Sequence, residues 1–131
     1  MPGSPSPSRS PRGFTLIELM IVMSIIALLL TLALPEYFHG LQRSKEAILK
    51  QDLGVMRSAL DKYVGDKGVY PQNLGELATN RYLRAIPVDP ITERNDTWIV
   101  VPPPPPQQGG VFDVKSGADG VTLDGVPYNQ L

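Results

Sequence analysis

The sequence has no cysteine and one histidine, His39, among its 131 residues. That excludes disulfides, thiolate metal sites, thiol catalysis and a histidine-rich metal centre. An excess of either charge is also missing: 12 Lys and Arg face 13 Asp and Glu, a formal net of −1. With no basic stripe to neutralise phosphates, the composition argues against nucleic acid as a partner. No nucleophile stands beside a base, and no glycine-rich phosphate loop follows a strand. Glu36 and His39 are three apart at the end of an apolar run, a pattern more typical of a surface than of a catalytic pair. The chain is read as a non-enzyme.

What is present is unevenly distributed. Residues 1–13 hold four prolines and two arginines, with no acid and no large apolar residue after Met1. Such a segment does not fold and has the character of a processed leader. Without it the chain carries 10 basic residues (12 less Arg9 and Arg12) against 13 acidic, a net of −3. The next 21 residues, Phe14 to Leu34, are almost wholly apolar. As a helix rising ~1.5 Å per residue they span about 30 Å, a bilayer's hydrocarbon core. The leader arginines precede the span, which keeps the N-terminus cytoplasmic and sends the remainder across. Pro35-Glu36-Tyr37 follows instead of a small-residue cleavage site, so the apolar helix is expected to be retained.

Glu18 interrupts the apolar run five residues in. An ionised carboxylate near a membrane centre costs roughly 2.5–3.5 kcal/mol, and less near an interface. One reading places it shallow enough to reach headgroups, or protonated. The other gives it a positive partner on another chain. Cleavage after Gly13 would supply one, the new α-amino group of Phe14, and opposite charges in a low dielectric would offset part of the desolvation.

Gly13-Phe14-Thr15-Leu16-Ile17-Glu18-Leu19-Met20 resembles the prepilin processing and methylation motif of type IV pilins and type II secretion pseudopilins. The resemblance implies cleavage between Gly13 and Phe14 by a membrane prepilin peptidase that also methylates Phe14. It further implies that Glu18 aids subunit docking and that Pro35 kinks the helix. Taken alone, Pro35 fits a helix exit equally well, since proline removes one backbone hydrogen bond.

Beyond Pro35, Leu49, Leu53, Met56, Leu60 and Tyr63 or Val64 form one apolar row at +4 and +3 spacing. Charged residues fill the other faces, and Gly65 is the expected stop of a helix running from about Thr15 to Val64. A short helix is expected over about 73–79, with Asn73 as N-cap and Glu76 completing a capping box. Tyr82, Leu83, Ile86 and Val88 are expected to pack the following connection onto the long helix, and Asp89-Pro90 reads as a turn. Residues 97–101 and 111–114 read as strands of a hairpin over about 97–114. Between them Pro102 to Pro106 is expected to be extended, with Gln107 to Gly110 turning the chain back. A stiff hairpin loop is favoured there over a ligand for a proline-recognition module, because no flanking charge supports recognition. Residues 115–131 form the C-terminal loop.

Tyr70-Pro71, the Leu83-Ile86-Pro87-Asp89-Pro90 connection, the Trp98 strand and Asp113 to Gly120 resemble the major pseudopilin of type II secretion. The implied fold is α+β and type IV pilin-like, a long N-terminal helix with its hydrophobic half protruding, packed on a small antiparallel sheet. It divides into a leader (1–13), an assembly helix (14–38) and a soluble domain (39–131). The resemblance also implies calcium in the C-terminal loop, with Asp119 as one carboxylate ligand and Asp124 as the second. Their five-residue spacing departs from the family pattern, and turns at Asp119-Gly120 and Asp124-Gly125 remain the alternative. Implied partners are other copies of the chain, minor pseudopilins, an inner-membrane assembly platform, the prepilin peptidase, and lipid before assembly. The implied location is the inner membrane with a periplasmic domain, then a periplasmic filament of a Gram-negative-type envelope. The alternatives are a type IV pilin for motility, adhesion or DNA uptake, and a monomeric membrane-anchored binding protein.

Overall fold

A 52-residue helix, α1 (Leu16–Lys67), dominates the computed structural model, which describes residues 2–8, 10–107 and 109–131. Met1 and Arg9, from the segment expected to be a leader, and Gln108, from the expected turn, lie outside the described residues. The chain divides into two compact units, Met1–Phe38 and His39–Leu131.

In the first unit, α1 starts where Thr15 caps it: the N–H of Glu18 donates to Thr15 Oγ1 at 3.2 Å and that of Leu19 to the Thr15 carbonyl at 3.1 Å. Two hydroxyls in the apolar stretch donate back along the helix, Ser24 to the Met20 carbonyl and Thr31 to the Ala27 carbonyl, each at 2.8 Å. Neither then needs water. Pro35 lies inside α1 and not at its exit. Having no N–H, it withholds one bond from the Thr31 carbonyl, a penalty of about 3 kcal/mol that a long helix absorbs.

In the second unit the expected row is the core. Leu49, Leu53, Met56, Leu60 and Tyr63 are buried, joined by Ala59 and Glu46. Leu77, Leu83, Trp98, Val111, Val114 and Tyr128 cover them. Gly65 does not end the helix. Gly68 does, at φ +71°, with its N–H on the Val64 carbonyl at 2.8 Å, the left-handed cap that glycine adopts without penalty. The short helix α2 (Gly75–Thr79) begins two residues later than expected. Asn73 Oδ1 still accepts the Glu76 N–H at 3.0 Å. The Glu76 carboxylate, however, takes the N–H of Gln72 at 3.0 Å and the hydroxyl of Tyr63 at 3.1 Å, so the capping box is only half formed.

The sheet has two antiparallel strands, β1 (Ile99–Val101) and β2 (Asp113–Lys115), with Val100 opposite Val114. Both are shorter than the sequence pattern suggests, and β2 is displaced toward the C-terminus. Prolines without N–H groups end the ladder after Val101, while the Val111 N–H is spent on the Pro71 carbonyl at 2.7 Å. Trp98 lies outside the strand and is buried, its indole N–H donating to the Pro87 carbonyl at 2.8 Å. The proline tract turns at Pro105–Pro106, around a cis bond, before the expected turn at Gln107. Val88 is half exposed, unlike Leu83, and does not join the core. A 3-10 helix, Tyr128–Gln130, ends the segment expected to be loop, and Lys115 belongs to β2.

Candidate processing and assembly site

Gly13 and Phe14 precede α1 and are exposed, Phe14 at 83%. With Arg12 and Glu18 they line one shallow depression of about 250 Å³, so the residues singled out at the N-terminus share a surface. A Cβ at Gly13 would meet nothing within 4 Å. The chain's own fold therefore makes no demand for glycine there, and any demand belongs to whatever reads the site. Glu18 is exposed in the first turn of α1, third after the Thr15 cap. Its carboxylate sits where the exposed N–H groups of a helix start favour negative charge, usually by about 0.3–1 kcal/mol. This local role was legible as Thr15-x-x-Glu18, a capping-box pattern. It accounts for part of the presence of a charge in an apolar run.

From Leu16 to Leu34 the large apolar side chains stay exposed, at 45% to 76%. The helix is long and apolar enough to cross a membrane, and its most apolar window is not buried within the chain. Such a surface needs lipid or other helices around it.

At the other end of the chain, residues 119–127 fold on themselves. The Thr122 N–H donates to the Val126 carbonyl at 2.8 Å and the Gly125 N–H to the Thr122 carbonyl at 2.9 Å. Gly120 and Gly125 take φ +97° and +83°, the conformations these two turns demand. Asp119 and Asp124 are exposed on this loop. They bring at most four carboxylate oxygens, short of the six to eight that calcium takes. The carbonyls of Gly120, Thr122 and Val126 each accept an N–H already and keep one lone pair.

The loop is held to α1 by a group the sequence reading missed. Glu46, 6% exposed, accepts the Leu123 N–H at 2.8 Å and faces the Tyr128 hydroxyl at 3.5 Å. Gln42 donates to the same hydroxyl. Burial, then the Glu46 charge, raises the Tyr128 pKa. A second missed group is Asp89, fully buried. It accepts the Ile91 N–H at 2.8 Å and the Ser116 hydroxyl, tying its turn to the end of β2.

Comparison with known proteins agrees with this architecture. The model of the prokaryotic N-terminal methylation motif matches residues 8–34. Over 98 residues the chain is 33% identical to the type II secretion system core protein G of Pseudomonas aeruginosa, covering 63% of this chain and 69% of that protein. The chain belongs to the core protein G family. This family is pilin-like, and the likeness extends to pilins. The chain is 45% identical over 60 residues to fimbrial protein EcpC of Eikenella corrodens, 46% of this chain and 39% of that one. It is 44% identical over 55 residues to the type IV major fimbrial protein FimA of Dichelobacter nodosus, 42% of this chain and 35% of that one. The chain thus spans less than half the length of either fimbrial relative. No solved structure matches it. Core protein G and the pilins are structural proteins, and membership implies self-polymerisation into filaments. The apolar helix near the chain start and the methylation motif fit anchoring in the inner membrane.

Proposed function

We propose that this chain is the polymerising subunit of a type II secretion pseudopilus. A prepilin peptidase cuts it between Gly13 and Phe14 and methylates Phe14, and the subunit waits in the inner membrane with its C-terminal unit in the periplasm. An assembly platform and minor pseudopilins organise its extraction into a periplasmic filament that drives folded proteins across the outer membrane. In the filament the new amine of Phe14 pairs with Glu18 of a neighbour, and Pro35 lets the helix bend. The observation that carries this reading is the similarity to core protein G over 69% of that protein's length, joined to an apolar helix with no cover of its own. Asp119 and Asp124 are the ligands proposed for calcium, which would need further oxygens from main-chain carbonyls or water.

The test is deletion of the gene in its own host. Loss of exported protein with intact surface fibres supports the secretion role. Loss of surface fibres with export intact supports the second reading, a type IV pilin, which the EcpC and FimA similarities favour. A chain that keeps its leader and stays monomeric in mild detergent would be an anchored binding protein instead.

A further inference from the structure

The C-terminal unit carries a knob and a groove that leave apolar side chains exposed. The knob is the loop pinned to Glu46. Val121, Leu123 and Val126 are 55%, 45% and 40% exposed on it, with the exposed carboxylates of Asp119 and Asp124 beside them. Three exposed apolar side chains thus stand within six positions of one nine-residue loop, and grouped apolar exposure is what contact surfaces show. The two carboxylates disfavour an anionic lipid surface as its occupant.

The groove, about 390 Å³, lies along α1 between Gln51 and Lys62 and is walled by Tyr82. Val55 is 48% exposed in it. A Cβ at Gly54 would meet nothing within 4 Å, so this mid-helix glycine forgoes about 1 kcal/mol of helix stability with no return inside the chain. Lys62 is exposed at the end of the groove, and no ion pair involves it among the described residues. The groove therefore offers apolar floor, close backbone approach and a free cation, complementary to the knob's apolar tip and acidic rim.

One copy cannot join the two. Leu123 is held on the Glu46 side of α1, whereas Val55, nine residues beyond Glu46, lies roughly 180° further round at ~100° per residue. Knob and groove thus face different ways, the arrangement of a head-to-tail contact, which builds an open filament when its rotation does not close a ring. We propose that the C-terminal loop of one copy docks in the α1 groove of a second copy, with Leu123 against Gly54 and Val55 and Lys62 facing Asp119 and Asp124. This rests on the reading of the chain as a polymerising subunit. A calcium ion on the two aspartates would weaken the ionic part and leave the apolar contact.

The natural absence of cysteine makes cross-linking a clean test. Chains carrying both Ser58→Cys and Leu123→Cys, expressed in the native host and oxidised in sedimented filaments, are expected to give a disulfide ladder beyond dimers. Either single-cysteine chain should give none. Gly54→Leu, added to the pair, should fill the groove, raise the melting temperature or leave it no lower, and cut cross-linking about tenfold or more. With a chelator present, so that no calcium neutralises the aspartates, Lys62→Asp or Asp124→Lys should each lower it, and the two reversals together should restore it. Filaments that sediment normally without the ladder, or a ladder indifferent to Gly54→Leu, would overturn the docking and leave the subunit reading standing. Failure of the unsubstituted chain to form any sedimentable filament would overturn the subunit reading itself.

Discussion

Glu46 accepts the backbone N–H of Leu123 at 2.8 Å across 77 positions of sequence, one of the bonds that couple the long helix to the C-terminal segment. Removing the carboxylate leaves a partly buried N–H and the Tyr128 hydroxyl short of an acceptor. A hydrogen bond to a charged group is worth about 1.5–3 kcal/mol. Glu46→Ala is expected to lose about that much, and Glu46→Gln less, since its amide oxygen still accepts. Denaturation of the full chain in detergent, followed by the fluorescence of the lone Trp98, measures both.

Arg57 makes a second tie. Its guanidinium donates to Asp113 Oδ1 at 2.8 Å, the Val114 carbonyl at 3.0 Å and the Leu131 main-chain oxygen at 2.8 Å. Lysine cannot present that fork. The pair is about a third exposed, so solvent screens its ionic part. Arg57→Lys should destabilise by about 1 kcal/mol, and faster hydrogen exchange in residues 113–115 and 128–131 should accompany it.

Alkali should loosen the C-terminal unit. Burial and the Glu46 charge hold the Tyr128 hydroxyl above its ordinary value near 10. Its favoured form in the fold is neutral, so its contribution is complete below the unfolded value. It is lost as pH rises from there through the folded value. The melting temperature of the full chain in detergent should fall above pH ~10, and less steeply for Tyr128→Phe, which has no proton to lose.

The start of α1 permits separation of two roles. Thr15→Ala removes the cap and should fray the first turn at a cost of about 1 kcal/mol, visible as faster exchange near Leu19, with filament yield retained. Glu18→Ala should keep membrane insertion and lose filaments. Equal filament yields from wild type and Glu18→Ala would leave the cap as the only role for this carboxylate.

If Asp119 and Asp124 hold calcium, the metal should raise the melting temperature and a chelator lower it. Asp119→Asn with Asp124→Asn should abolish the difference. An unchanged melting temperature on chelation would leave the two aspartates as turn residues.

The sequence made legible what depends on neighbours along the chain. The row from Leu49 to Tyr63 repeats with the helix period, and the Gly13 to Glu18 motif is continuous. Glu46 and Asp89 were illegible because their partners lie 77 and 27 positions away. Nothing local marks a carboxylate as buried. Gly65 and Gly68 are equal as letters, and only φ decides which ends the helix. Strand lengths failed for a similar reason. Trp98 and Val111 fit a strand by propensity, but the one was drawn into the core and the other onto Pro71.

N-terminal sequencing and intact mass of the mature protein from native membranes test the central claim most directly. A chain beginning at Phe14, bearing one methyl group on its amine and recovered also in a sedimentable polymer, is the predicted result. A chain still beginning at Met1, and found only as a monomer, would contradict it.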